Sequence, residues 1–154
     1  MYKERTKENI CRICEEEGSF IPLQSIDPEQ IESMVSIAIL DFETVGQWLK
    51  NAKKESSQWN AIYKLHYDIL HELIEAFVRF DKLKVKTHEC LFAYLCEKHP
   101  EMELHWDFFE KIRTKRNGSI YYGKAISYQD WEEIHVQMIL YINTLKKALE
   151  EKLK

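Results

Sequence analysis

Apolar residues along this chain fall at helical intervals. Ile31, Val35, Ala38, Phe42, Val45 and Leu49 share one side of a 3.6-residue turn, with Met34 and Ile39 beside them. The spacing returns in Trp59, Ile62, Tyr63, Ile69, Leu70, Leu73, Ile74 and Phe77. It returns again in Trp131, Ile134, Met138, Ile142, Leu145 and Leu149. Two shorter stripes run through Cys90, Leu91, Tyr94 and Leu95, and through Leu104, Phe108, Phe109 and Ile112. None alternates as a half-buried strand would.

Start and stop signals bracket these stripes. Asp27-Pro28-Glu29-Gln30 offers a capping carboxylate, a proline in the first turn and a glutamine three residues on, so the main body begins there. A second helix is expected from near Ser57, and Thr87 caps a shorter one with Pro100 beyond its end. A long helix is predicted from about Glu101 to Tyr122, stopping at Gly123. Ser127 opens the last, with lysines toward its C-terminal end where the helix dipole favours them. Residues 3–17 read as a short helix ended by Gly18, then a loop around Pro22. Short connections at 54–57, 81–86, 98–101 and 123–127 favour antiparallel neighbours. The expected fold is all-α: residues 27–154 form an antiparallel up-and-down bundle of four long helices or helix segments plus a short extra helix. Residues 1–26 precede it as an N-terminal extension.

Composition narrows the function classes. A chain of 154 residues, 45% hydrophobic and 31% charged, suits one folded domain. No apolar run approaches the roughly 20 residues that cross a bilayer, and Met1-Tyr2-Lys3-Glu4-Arg5 begins no secretory signal. The expectation is therefore a cytoplasmic protein with no membrane partner. A net charge of −4 argues against a broadly basic surface and leaves room for a local basic patch. Four cysteines are too sparse for a disulfide scaffold and suit a reducing compartment, with thiols serving as small hydrophobes. Cys11 and Cys14 make one Cys-x-x-Cys, but Cys90 and Cys96 have the wrong spacing to complete a zinc site, leaving only His88 and His99. Glu132 with His135, and Asp68 with His71, echo the Glu-x-x-His pairs of di-metal bundles. Helical projection turns Asp68, His71 and Glu132 away from the apolar stripes, and His135 reads as a packed histidine. No metal and no cofactor are expected.

The segment after Phe109 carries the chemistry. Arg116 projects within about 30° of the centre of the Leu104–Ile112 face, flanked by Arg113 and Asn117, with Tyr121 and Tyr122 a turn later. An inward arginine either pairs with a carboxylate on a neighbouring helix or lines a groove, because burying it alone is prohibitive. Gly118 costs about 1 kcal/mol in a helix relative to alanine and suggests a close approach or a local bend.

The stretch Arg113-Thr114-Lys115-Arg116-Asn117-Gly118-Ser119-Ile120-Tyr121-Tyr122-Gly123 resembles the motif helix of HEPN domains, and Tyr63 through Ala76 resembles that family's second long helix. The resemblance covers roughly residues 28–153. It implies a small prokaryotic-type homodimer whose motif helices line a shared cleft, often encoded with a minimal nucleotidyltransferase partner in a toxin–antitoxin system. Many members are metal-independent endoribonucleases that use an arginine, an adjacent polar residue and a histidine four to six intervening residues later. Arg116 and Asn117 match the first two. The third position is occupied by Tyr121, Tyr122 or Gly123, and no histidine lies between His105 and His135. A tyrosine with a pKa near 10 donates a hydrogen bond or stacks on a base more readily than it moves a proton at neutrality. Within one chain His105 stands roughly 16 Å along the helix from Arg116.

Three classes follow. The first, preferred here, is a dimeric module that binds a nucleotide, RNA or a nucleotidyltransferase through Arg113, Arg116, Asn117, Tyr121 and Tyr122. The second is an endoribonuclease with Arg116, Asn117 and Tyr121 as its variant catalytic set. The third is a bundle serving protein association alone. Tyr121 and Tyr122 admit two further readings: packing at the helix end, or modification by a partner nucleotidyltransferase.

Overall fold

A computed structural model describes residues 4–154. The fold is an all-α helical bundle: six α-helices account for nearly all of the secondary structure, with one small sheet. The helices are α1 (Lys7–Glu16), α2 (Pro28–Asn51), α3 (Trp59–Val78), α4 (His88–Lys98), α5 (Trp106–Tyr122) and α6 (Tyr128–Lys152). Local signals set several of the boundaries. The Asp27 carboxylate accepts the Gln30 N–H, the Thr87 hydroxyl accepts the Cys90 N–H, and Ser127 with Asp130 closes a full capping box. Gly123 ends α5 at φ 64°, a left-handed conformation that glycine adopts without penalty.

Helix α3 is the centre of the molecule. Twelve of its twenty residues are buried, and it packs most extensively against α2 and α6 while also meeting α4 and α5. Its buried residues therefore cover a broad face, with Lys64, Asp68, Glu72 and Glu75 on the other side, where α2 presents a single narrow stripe of Ile31, Val35, Ala38 and Val45. Large rings fill the space between α4, α5 and α6: Phe92 stacks on Phe109 at 4.7 Å, and Tyr141 meets Phe108 at 4.9 Å.

Four features differ from the expectations. The helix predicted from Glu101 begins only at Trp106. Pro100–Met102 forms a 3-10 turn, and Glu103 takes a left-handed φ of 55° that stops it. The loop around Pro22 and the 81–86 connection contain two strands, β1 (Phe20–Pro22) and β2 (Leu83–Val85), paired antiparallel with Phe20 opposite Val85. Three residues are too few to show alternation, so only the tertiary pairing reveals them. The Asp27-side extension is also well built into the body, since α1 packs along α4 and buries Ile10, Cys11 and Cys14.

The fourth correction concerns the thiols. Cys14 and Cys90 form a disulfide, linking α1 to the first turn of α4 across 76 residues of sequence. Packing as a small hydrophobe describes only Cys11 and Cys96, which are free and buried. The crosslink also removes Cys14 from any zinc site. Among the described residues no group of three or more His, Cys, Asp or Glu side chains is placed to hold a metal ion, and no helix is long and apolar enough to cross a membrane.

Candidate functional site

The cleft beside Arg116 is assembled from three helices. Helix α5 contributes Arg113, Arg116, Asn117 and Tyr121; the start of α4 contributes Thr87, His88 and Glu89; Tyr67 and His71 of α3 stand behind them. The space enclosed is about 270 Å³, enough for a phosphate group and its immediate substituents. Beyond Asn117 and Tyr121 it adjoins a larger depression of about 860 Å³, bordered by Tyr122, Lys115 and Lys124.

The two arginines have different circumstances. Arg113 is committed internally: its guanidinium donates to Glu110 at 2.7 Å and lies 3.9 Å from Glu89. Arg5, just ahead of α1, completes that network with bonds to Glu89 at 2.9 Å and Glu110 at 3.0 Å. Burial would raise the Glu110 carboxyl, yet the hydrogen bonds from Arg5 and Arg113 outweigh it and hold the group below its usual value. Arg116 has no carboxylate within 4.0 Å among the described residues. Its guanidinium carbon lies 5.0 Å from the centre of the Tyr67 ring, its Nη1 reaches the Asn117 amide oxygen at 3.4 Å, and its Nε is buried without a partner. A half-buried cation held by a ring face and one long hydrogen bond retains donors for an anion.

The structure supplies imidazoles that the sequence reading did not bring to the site. The Tyr67 hydroxyl and His88 Nδ1 are 2.9 Å apart, and the His71 and His88 rings lie against one another with centroids 3.8 Å apart. Burial, then the nearby Arg116 and Arg113 charges, lower the His88 pKa to about 4. Burial, with His88 and Arg116 adding to it, lowers that of His71 to about 3. Burial pushes the Tyr67 phenol up, against the pull of Arg116 and Arg113, so it keeps its proton. A protonated phenol both donates and accepts, so Tyr67 engages Nδ1 in either tautomer, and His88 stands at the cleft as a neutral imidazole.

Helical projection places His71 away from the Ile62–Leu73–Phe77 stripe of α3. It instead sits half-buried between α3 and α4, because α3 is covered on more sides than one apolar stripe suggests. His88 was legible as a helix-start residue next to Thr87, but nothing local connects it with Arg116, 28 positions later. His105 caps the far end of α5, where its backbone N–H donates to the Tyr141 hydroxyl.

Two further expectations change. Tyr121 and Tyr122 do not pack at the helix end; they are 69% and 78% exposed, with Tyr121 on the wall shared by both depressions. Within the chain Gly118 meets no close neighbour and does not interrupt the helix. Helix α5 runs through it, and a methyl group there would meet only the Lys124 side chain at 3.9 Å.

Comparison with protein-family profiles, with characterised proteins and with solved structures finds no match to this chain.

Proposed function

We propose that the protein binds a phosphate-bearing ligand, a nucleotide or single-stranded RNA, through the Arg116 cleft. The observation that carries this reading is the guanidinium of Arg116, half-buried at the cleft with no carboxylate within 4.0 Å among the described residues, its charge felt only at longer range by Asp68. Around it stand polar side chains such a ligand needs: the neutral His88 imidazole, the Asn117 amide and the Tyr121 hydroxyl. The exposed rings of Tyr121 and Tyr122 offer faces on which a base stacks, a contact worth about 1–3 kcal/mol per base. Thr87 places the N-terminus of α4 at the cleft wall, where the helix dipole favours negative charge. Resemblance to HEPN domains would make the protein a homodimer working with a nucleotidyltransferase; the cleft itself speaks only to the ligand.

Fluorescence anisotropy with a 5′-labelled single-stranded oligoribonucleotide, competed by AMP, tests the reading. Arg116→Ala is expected to weaken binding at least tenfold and to lower the salt dependence by about one counterion, as loss of one phosphate contact does. Lys147→Ala on the outer face of α6 serves as control and leaves both unchanged. Equal affinities for the native protein and Arg116→Ala would overturn the proposal.

A second reading, RNA cleavage, is favoured by one observation: His88 stands beside Arg116, in the role that no histidine of α5 fills. Its ring is neutral at pH 7, its Nδ1 is engaged by Tyr67, and a pKa lowered to about 4 by burial and the arginine charges makes it a weak proton acceptor. Incubating the bound oligonucleotide and resolving its products separates the two. Cleavage lost in His88→Ala with binding retained would replace the binding reading with the enzymatic one.

A further inference from the structure

We propose that the Cys14–Cys90 disulfide is a thiol–disulfide switch on the Arg116 cleft, holding it open to anions when oxidised and closing it when reduced. The inference rests on the proposed binding role of Arg116 and concerns how that site is regulated. Its starting point is position. Cys90 lies in the first turn of α4, immediately after His88 and Glu89, which line the cleft; Cys14 lies on α1, which follows Arg5.

Arg5 is the link between crosslink and cleft. It donates to Glu89 and to Glu110, and its own backbone carbonyl is held by the indole N–H of Trp106 at 3.0 Å. Counting formal charges around the cleft shows what it does. Arg5, Arg113 and Arg116 contribute three positive charges, and Glu89, Glu110 and Asp68, whose carboxyl feels the Arg116 charge, three negative; His88 is neutral, so the charges balance. Remove Arg5 and the balance falls to one negative charge. Glu89, which already lines the cleft 3.9 Å from Arg113, then loses the Arg5 bond and competes with any incoming anion.

The crosslink adds a covalent hold to the packing of α1 along α4 and to the bonds that Arg5 makes with Glu89, Glu110 and Trp106. Helix α1 is ten residues long and buries only Ile10, Cys11 and Cys14, too short a helix to persist without tertiary support. The strand pairing of Phe20–Pro22 with Leu83–Val85 anchors the chain only after α1 has ended. Ahead of that anchor, the disulfide is the one covalent tie between α1 and α4 among the described residues. Reduction by a dithiol breaks the S–S bond and leaves Cys14 and Cys90 as thiols. The two electrons and two protons come from the reductant, which closes to its own disulfide. Both sulfurs are buried, so the exchange proceeds through transient opening of α1.

The test compares oxidised and dithiothreitol-reduced protein, each state verified by intact mass, with the labelled oligoribonucleotide as probe. The oxidised form is expected to bind about tenfold more tightly, the effect of one unit of charge at the cleft. Oxidised Arg5→Ala is expected to bind like reduced native protein, and Glu89→Gln to lose its response to reduction. Equal binding by both states of the native protein overturns the switch while leaving the Arg116 reading intact. If neither state binds the probe, the Arg116 reading fails and amide hydrogen exchange decides what remains. Faster exchange over residues 7–16 and 88–91 on reduction supports control of the cleft wall by the crosslink, and unchanged exchange overturns it.

Discussion

Single side chains here are set by what surrounds them rather than by type, and His66 shows this most directly. It is fully buried on α3 between Phe42 and Trp131; its Nδ1–H donates to the Ile62 carbonyl at 2.8 Å, and Nε2 has no partner. Burial lowers its pKa to about 4, only partly offset by the bond to Ile62, against roughly 6.5 in the unfolded chain. The folded state thus takes up a proton later than the unfolded state as pH falls. The contribution to stability is present above pH 6.5 and is lost progressively toward pH 4, on the order of 3 kcal/mol in total. His66→Phe, measured by urea unfolding across that range, is expected to flatten the pH dependence by up to about 1.4 kcal/mol per pH unit. An unchanged slope would assign the acid sensitivity to other groups. At the same scale Arg116 could be marked in the sequence as inward and important, but its lack of a carboxylate could not. Pairing depends on what α3 and α4 bring beside it, and the sequence pattern of α5 is silent about both.

At the scale of elements, legibility followed the strength of local chemistry. Asp27, Thr87, Ser127 and Gly123 mark true helix boundaries because each satisfies backbone groups that the helix itself leaves orphaned. The start of α5 was misplaced because Glu103 adopts a left-handed conformation that its residue type does not advertise. Both strands were missed because their pairing joins residues more than sixty positions apart. Helix α5 also carries a correctable weakness. Gly118 lies within it, has no positive φ, and has room for a methyl group. Gly118→Ala is expected to raise the unfolding free energy by about 0.5–1 kcal/mol, read as a higher urea midpoint at unchanged m-value. Destabilisation would show that a neighbour absent from the single chain approaches the backbone there.

The molecule as a whole is organised by α3, and that much follows from the density of its apolar positions. The cleft does not follow in the same way. It draws on α5 for its cations, on α4 for its imidazole and carboxylate, and on Arg5 for charge balance, so it exists only once distant segments are packed together. A motif confined to one helix could point to Arg116 and Asn117 and could not point to His88. The cysteines carry the same lesson: spacing along the chain argued against metal, whereas the pair that bonds is separated by 76 residues.

That bond makes α2, α3 and the turn between them the contents of a closed covalent ring. The turn at Lys53 and Lys54 is exposed. A lysine-specific protease that nicks it should therefore leave both pieces travelling as one band on a non-reducing gel, separating only when thiol is added. Two bands without thiol would mean the ring is open in solution. A closed ring would let the peptide backbone be severed between the two principal helices while their tether survives.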